Sequence, residues 1–140
     1  MNNLSKIIKF IKANNKNTIF STLGIKIKSY NPDDVILTIA TDKRHLQHTG
    51  LIHGGVYLIL SESAASIAAA LKVNPFKYSI LGMEINANHV NSSKNGIIKA
   101  KAKLIHHGNF SMIYSINVTN NKNKLLSISR CTIALKKINI

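Results

Sequence analysis

Apolar residues recur along this chain with two different periods, and the change of period marks the elements. Between Leu4 and Asn14, Leu4, Ile7, Ile8 and Ile11 share one face at helical spacing, while Lys6, Lys9, Lys12 and then Lys16 fall largely elsewhere. This predicts an amphipathic helix. Residues 1–17 read as an N-terminal amphipathic segment lying on its own domain rather than on a membrane. Two short strands are expected next, Gly24–Tyr30 and Val35–Thr41, joined by the turn formers Asn31-Pro32-Asp33-Asp34. A loop, DKRHLQHTGLIHGG, leads to Val56–Leu71. That stretch, VYLILSESAASIAAAL, is apolar nearly all round, which predicts a long helix buried in the middle of the fold. Asn74-Pro75 ends it.

The second half alternates. Ser79–Val90 reads as a strand closed by the turn Asn91 to Gly96. Ile97–His106 places Ile98, Ala100, Ala102 and Leu104 on one face and Lys99, Lys101 and Lys103 on the other. His107-Gly108-Asn109 turns the chain into Phe110–Thr119, where Met112, Tyr114, Ile116 and Val118 point inward. Asn120 to Asn123 turn it again into the last strand, Lys124–Lys136. Short connections imply antiparallel neighbours. The pattern is an α+β domain: one antiparallel sheet with a single buried helix lying along it.

Composition adds bounds. A chain of 140 residues suggests one domain, 1–140, and its 45% apolar content can fill a core. A single cysteine, Cys131, excludes an internal disulfide framework. No stretch reads as a membrane span of about 18 apolar residues, and the N-terminus lacks a signal-peptide pattern. The expectation is a cytoplasmic protein with no membrane partner.

The net charge of +14 admits nucleic acid, a membrane surface or an anionic small molecule as partner. Of the 19 basic residues, however, only Arg44 and Arg130 are Arg, and the Lys residues are scattered without interleaved aromatics. Base readers and phosphate clamps favour the planar fork of Arg, so no nucleic-acid partner is expected. A solvated surface explains most of the charge, and such a surface suits a polyanionic ligand such as coenzyme A.

Five carboxylates stand in the chain, and Asp33, Asp34 and Asp42 sit near turns or loops. Glu62 instead sits within the apolar helix. A buried carboxylate is costly unless paired, and burial raises its pKa, so this placement marks a candidate site. His53-Gly54-Gly55 immediately precedes the helix. A helix start presents unpaired N–H groups, and glycine lets a ligand carbonyl approach them, which makes an oxyanion site. Ser66 lies one turn beyond Glu62 on the same face.

Gly54 and Glu62 are about 12 Å apart along one helix, so they cannot reach one reacting carbon from the same chain. If both act together, a two-fold dimer with antiparallel helices must supply one from each chain. Glu84, within a strand, is better suited to a hydrogen bond or salt bridge in the sheet. Cys131 reads as a small buried apolar residue.

The segments Gln47-His48-Thr49-Gly50-Leu51-Ile52-His53-Gly54-Gly55, Ser61-Glu62-Ser63 with Ser66, and GMEINANHV from Gly82 to Val90 resemble the hotdog-fold thioesterases of the 4-hydroxybenzoyl-CoA thioesterase superfamily. The nearest branch is that of 1,4-dihydroxy-2-naphthoyl-CoA hydrolases, of menaquinone biosynthesis, and phenylacetyl-CoA thioesterases. His48-Thr49 departs from the bulkier residues the family has beside the pocket.

The resemblance implies a hotdog fold, a sheet wrapped around one long helix. It implies hydrolysis of an acyl-CoA thioester, with an aromatic acyl group such as dihydroxynaphthoyl or, alternatively, a phenylacetyl-type or broad proofreading range. Glu62 would be nucleophile or general base. The Gly54 N–H would bind the thioester oxygen, Gln47 and His53 would orient the thioester, and Ser66 would position water or the carboxylate. Glu62 and Ser66 would come from one subunit, and Gln47, His53 and Gly54 from the other.

Contacts to the substrate and its nucleotide would come from Gly82, from His89, Val90, Asn91 and Ser92, and from the turn of His106, His107, Gly108, Asn109, Phe110 and Ser111. The implied assembly is a homodimer at minimum and a tetramer where dimers pair. No metal and no separate cofactor are expected, since coenzyme A is part of the substrate. Two other classes compete: a hotdog hydratase, which pairs its histidine and carboxylate differently, and an inactive polyanion-binding module, which the charge motivates.

Overall fold

The computed structural model describes residues 3–138; Met1 and Asn2 of the predicted segment 1–17 lie outside the described residues. Helix α1 spans Asn3–Asn14 and buries Ile7 and Ile11, with Leu4 and Ile8 packed beside them. Its apolar face rests on the rest of this chain, as the periodicity predicts. The lysines of α1 face outward, and Lys12 lies 5.1 Å above the Tyr30 ring.

Strands β1 (Ile25–Asn31) and β2 (Asp34–Ala40) form a hairpin whose turn is only Pro32-Asp33. Asn31 closes it by accepting the Asp33 N–H on its side chain at 3.1 Å. Helix α3 spans Gly54–Lys72. Four more strands follow: β3 (Tyr78–His89), β4 (Ile97–His107), β5 (Ser111–Thr119) and β6 (Leu125–Lys137). All six strands pair antiparallel in the order β1-β2-β4-β5-β6-β3. The sheet curls around α3, which touches every strand.

The predicted inward rows are inward. Ile98 and Ala100 on β4 and Met112, Tyr114, Ile116 and Val118 on β5 are fully buried. On α3, Ala64, Ala65, Ala68 and Ala69 are fully buried against them. Small side chains there let a 19-residue helix lie close to a curled sheet.

Two expectations need correction. Helix α3 is not buried all round. By length and composition it would pass as a membrane span, contrary to the reading of the sequence, but half of that stretch is buried inside the chain. The buried half is the face toward the sheet; Leu58, Ile59, Glu62, Ser63, Ser66 and Ile67 form a stripe left partly open. The second correction is an extra element. A short helix, α2 (Ile19–Leu23), precedes β1. Thr18 caps its start, taking the Phe20 N–H at 3.2 Å, and Gly24 ends it in the left-handed conformation at φ 66°. Both cap signals stand in the sequence, but five residues are too few for a hydrophobic period to register.

Candidate active site

The start of α3 is built by the loop before it. Gln47 and Leu51 close a tight turn, with the Gln47 N–H donating to the Leu51 carbonyl at 2.8 Å and the Gly50 N–H to the Gln47 carbonyl at 2.9 Å. Gly50 stands at φ 77° in that turn, a conformation that favours glycine. The Gln47 side chain donates to Thr49 Oγ1 at 2.8 Å. His53 then caps α3: its Nδ1 accepts the Gly55 N–H at 2.8 Å. The ring's proton therefore sits on Nε2 when it is neutral. The Val56 N–H goes to the His53 carbonyl at 2.9 Å. Among the described residues the Gly54 N–H has no partner, which leaves it as a donor at the positive end of the helix.

The glycine at 54 has a reason beyond the approach of a ligand. A Cβ there would stand 2.7 Å from His89 Nε2. His89, at the end of β3, is held by Ser127, whose Oγ is 2.9 Å from Nδ1, and packs edge-to-face on Tyr57 at 5.5 Å between ring centres. Gln47, Gly54, Tyr57, His89, Asn91 and Ser92 line one hollow of about 190 Å3.

Glu62 opens elsewhere. It is exposed, so the burial that the sequence pattern predicts is absent within one chain. The reason is geometric: Glu62 lies on the stripe of α3 turned away from the sheet. With Ser63 and Ser66 it lines a second hollow of about 310 Å3, walled by Ile19 and Phe20 of α2 and by Ile59 and Ile67 of α3. Sequence reasoning missed Ile19 and Phe20 because it missed α2. That short helix is anchored: His45, 1% exposed, holds the Leu23 carbonyl through Nε2 at 2.9 Å, and Arg44 donates to the Thr22 carbonyl. Arg44 is itself clamped by Asp42, whose carboxyl it holds well below the usual range.

The residues grouped by resemblance as substrate contacts do not meet within one chain. His89, Asn91 and Ser92 lie at the start of α3, and Val90 beside them is exposed. His107, Gly108 and Asn109 line a third hollow, of about 220 Å3, with Val73 and Asn74 just past the other end of α3. The helix between them is about 28 Å long. Strand β4 also runs on to His107, so the turn is Gly108-Asn109-Phe110 rather than one beginning at His107. It is fastened by the Gly108 N–H on the Ser111 carbonyl at 2.9 Å, and Phe110 is 82% exposed, free to meet another surface. His106 is exposed at the strand end. Gly82 lies on β3 directly beneath Glu62.

The family profile of the thioesterase superfamily matches residues 49–127, more than half of the chain and all of the segment that carries Gly54, Glu62 and His89. The chain belongs to the thioesterase superfamily. The reaction class that goes with this membership is hydrolysis of an acyl-CoA thioester. A 1,4-dihydroxy-2-naphthoyl-CoA hydrolase of Listeria monocytogenes is 41% identical over 116 residues, covering 83% of this chain and 94% of the relative. A Bacillus subtilis relative named only as an esterase is 36% identical over 122 residues, covering 87% and 97%. Among solved structures, a variant of a Pseudomonas aeruginosa thioesterase superposes with a TM-score of 0.88 at 31% identity, covering 93% of this chain and 94% of that one. The hotdog fold is the fold of these neighbours.

In this thioesterase the two remaining reactive groups are accounted for structurally. Cys131 is fully buried, and burial, then the charges of Glu62 and Glu84, push its thiol up to about 12. It packs in the core, as the sequence suggests. Glu84 is exposed on β3 and accepts from Asn86 Nδ2 at 2.8 Å.

Proposed function

We propose that this thioesterase hydrolyses an aromatic acyl-CoA, of the dihydroxynaphthoyl kind for which the Listeria relative is named, in a site shared by two chains. One observation carries the reading: Gly54 and Glu62 sit on one helix yet open into different hollows. Neither hollow holds both an oxyanion donor and a carboxylate, and a two-fold axis beside α3 supplies the missing half to each.

The edge of the sheet supports such an assembly. Strand β3 is an outer strand of 12 residues, with Leu81 and Met83 at 55% and 69% exposed. An open, partly apolar edge of that length is a template for pairing with a second copy. Pairing β3 with β3 about the two-fold axis sets the open stripes of two α3 helices side by side. The assembly is a homodimer at minimum, and paired dimers make the tetramer that the resemblance implies.

In that frame the thioester oxygen lies on the Gly54 N–H of one chain, with Gln47 and the Nε2–H of His53 orienting the group. Glu62 of the other chain takes a proton from water, and the hydroxyl adds to the carbonyl carbon. Ser66, one turn along, positions that water. Collapse of the tetrahedral adduct breaks the C–S bond, and the thiolate of coenzyme A leaves and is protonated. Direct attack by Glu62, with later hydrolysis of the anhydride, uses the same groups. The acyl group rests against Ile19, Phe20, Ile59 and Ile67, an apolar wall with no cation in it. That wall also suits a phenylacetyl or broad acyl range, which is the second reading.

The test is thiol release from a panel of aryl, phenylacetyl and alkyl acyl-CoA thioesters. The expected result is the highest kcat/KM for aryl substrates and a loss of roughly 10²–10⁴-fold in Glu62→Gln. A flat profile favours the broad range, and near-normal turnover by Glu62→Gln overturns the role of Glu62.

A further inference from the structure

The resemblance gives Gly82 to the substrate; the geometry points to a different task. We propose that Gly82 is a positioning residue, kept free of a side chain so that the Glu62 carboxylate can lie across strand β3. The inference rests on the reading of Glu62 as the group that acts on the thioester.

A glycine in mid-strand is a cost, because it weakens the strand and packs nothing. Two ordinary reasons for one are absent. Its backbone is not left-handed, since the glycines with positive φ are Gly24, Gly50 and Gly96. Nor does its strand crowd it: Gly82 pairs with Ile133 in the β3–β6 ladder and is exposed. The three atoms nearest to the space of a side chain all belong to Glu62. A Cβ at 82 would overlap Glu62 Oε1 and stand 2.9 Å from its Cδ and 3.3 Å from its Cγ. These are the nearest atoms, and all belong to the one carboxylate-bearing side chain.

The next residue continues the device. The ladder shifts register between Gly82 and Glu84, which leaves Met83 unopposed in a bulge. Bulges re-aim a strand locally and are frequent beside active sites. Here the bulge begins where the carboxylate crosses.

The physical consequence is orientation. An exposed glutamate is free to sample many rotamers, and that freedom is lost when it acts. With the bare peptide of Gly82 as a floor, Glu62 lies down on β3 at the rim of the hollow formed with Ser63 and Ser66. A methyl group at 82 lifts it off. The strand need not yield, because the atom it meets is the tip of a flexible chain. The damage falls on the carboxylate's position and not on the fold.

The experiment is a double-mutant cycle in the full-length protein with Gly82→Ala, Glu62→Gln and both together, assayed with an acyl-CoA that the wild type turns over. Gly82→Ala is expected to lower kcat about 10–100-fold, the scale of a misplaced reacting group, with KM and inhibition by free coenzyme A changed less than about twofold. Its thermal midpoint should match the wild type. In the Glu62→Gln background the same substitution should change the residual rate by less than about twofold. Glu62→Asp, one methylene shorter, should recover part of the rate lost in Gly82→Ala.

An unchanged kcat with a raised KM and weakened coenzyme A binding overturns the proposal and returns Gly82 to the ligand. Equal losses with and without Glu62, including losses from poor folding, also overturn it. If Glu62→Gln itself turns over normally, the catalytic reading fails first; if only Gly82→Ala is normal, this inference fails alone.

Discussion

Gly54 and Glu62 stand on the same helix, and each faces a hollow that the other does not reach. Complementation follows from this. Glu62→Gln and Gln47→Ala should each be nearly inactive as pure proteins. Unfolded together and refolded as an equal mixture, they form some mixed dimers with one site intact and one doubly damaged. About a quarter of wild-type activity is then expected. Activity that stays at the average of the two variants places the site within one chain.

Helix α2 should govern acyl preference. Phe20→Ala enlarges the hollow beside Glu62, so kcat/KM should shift toward bulkier acyl groups while free coenzyme A inhibits as before. Gly24→Ala forces a side chain into the left-handed region at the end of α2 and should cost about 1–2 kcal/mol. A lowered melting midpoint for Gly24→Ala, with relaxed acyl selectivity, is the pair of readouts to seek. Identical selectivity in both variants and the wild type removes α2 from the binding wall.

The basic surface should assist the phosphates of coenzyme A. Lys94 is exposed, two residues past Ser92, which lines the hollow at the start of α3. The KM for an acyl-CoA should rise with ionic strength as screening shortens the reach of these charges. The matching acyl-pantetheine, without the phosphates, should have a higher KM at low salt and little salt dependence. Equal KM values at low salt remove the charge from substrate binding.

Cys131 should behave as a core residue. With its thiol pushed up to about 12, almost no thiolate exists at pH 8, so a thiol reagent should react only after denaturation. The sign of the pH effect follows. The folded value is raised, so the stability gained by keeping this thiol neutral is whole below its ordinary value of 9.0 and is lost as pH rises toward about 12. Rapid labelling of the native protein at pH 8 contradicts the burial.

The strands and α3 were legible because their side chains alternate or cycle against one core. Val35, Leu37 and Ile39 on β2, and Met112 to Val118 on β5, announce their inward faces. The site was legible only in part. Glu62 stood out by its neighbours, but the pattern of α3 cannot say which apolar residues are left uncovered. Leu58, Ile59 and Ile67 look like core in sequence and lie on the open stripe. The wall of Ile19 and Phe20 was hidden in a helix five residues long. The need for glycine at 54 and 82 comes from His89 and Glu62, neighbours in space far away in the chain.

The uncovered margin of β3 bears on the life of the newly made chain. The outer side of this twelve-residue strand, which carries the exposed Leu81 and Met83, will pair with any extended segment that arrives first. A net charge of +14 keeps identical chains apart at long range, and that repulsion fades within about 10 Å in ordinary salt. If β3 is the pairing edge proposed above, newly made protein passes through a window in which productive pairing and aggregation compete for one surface. Slow synthesis at low salt widens the advantage of solubility, while crowded synthesis at high salt removes the electrostatic delay.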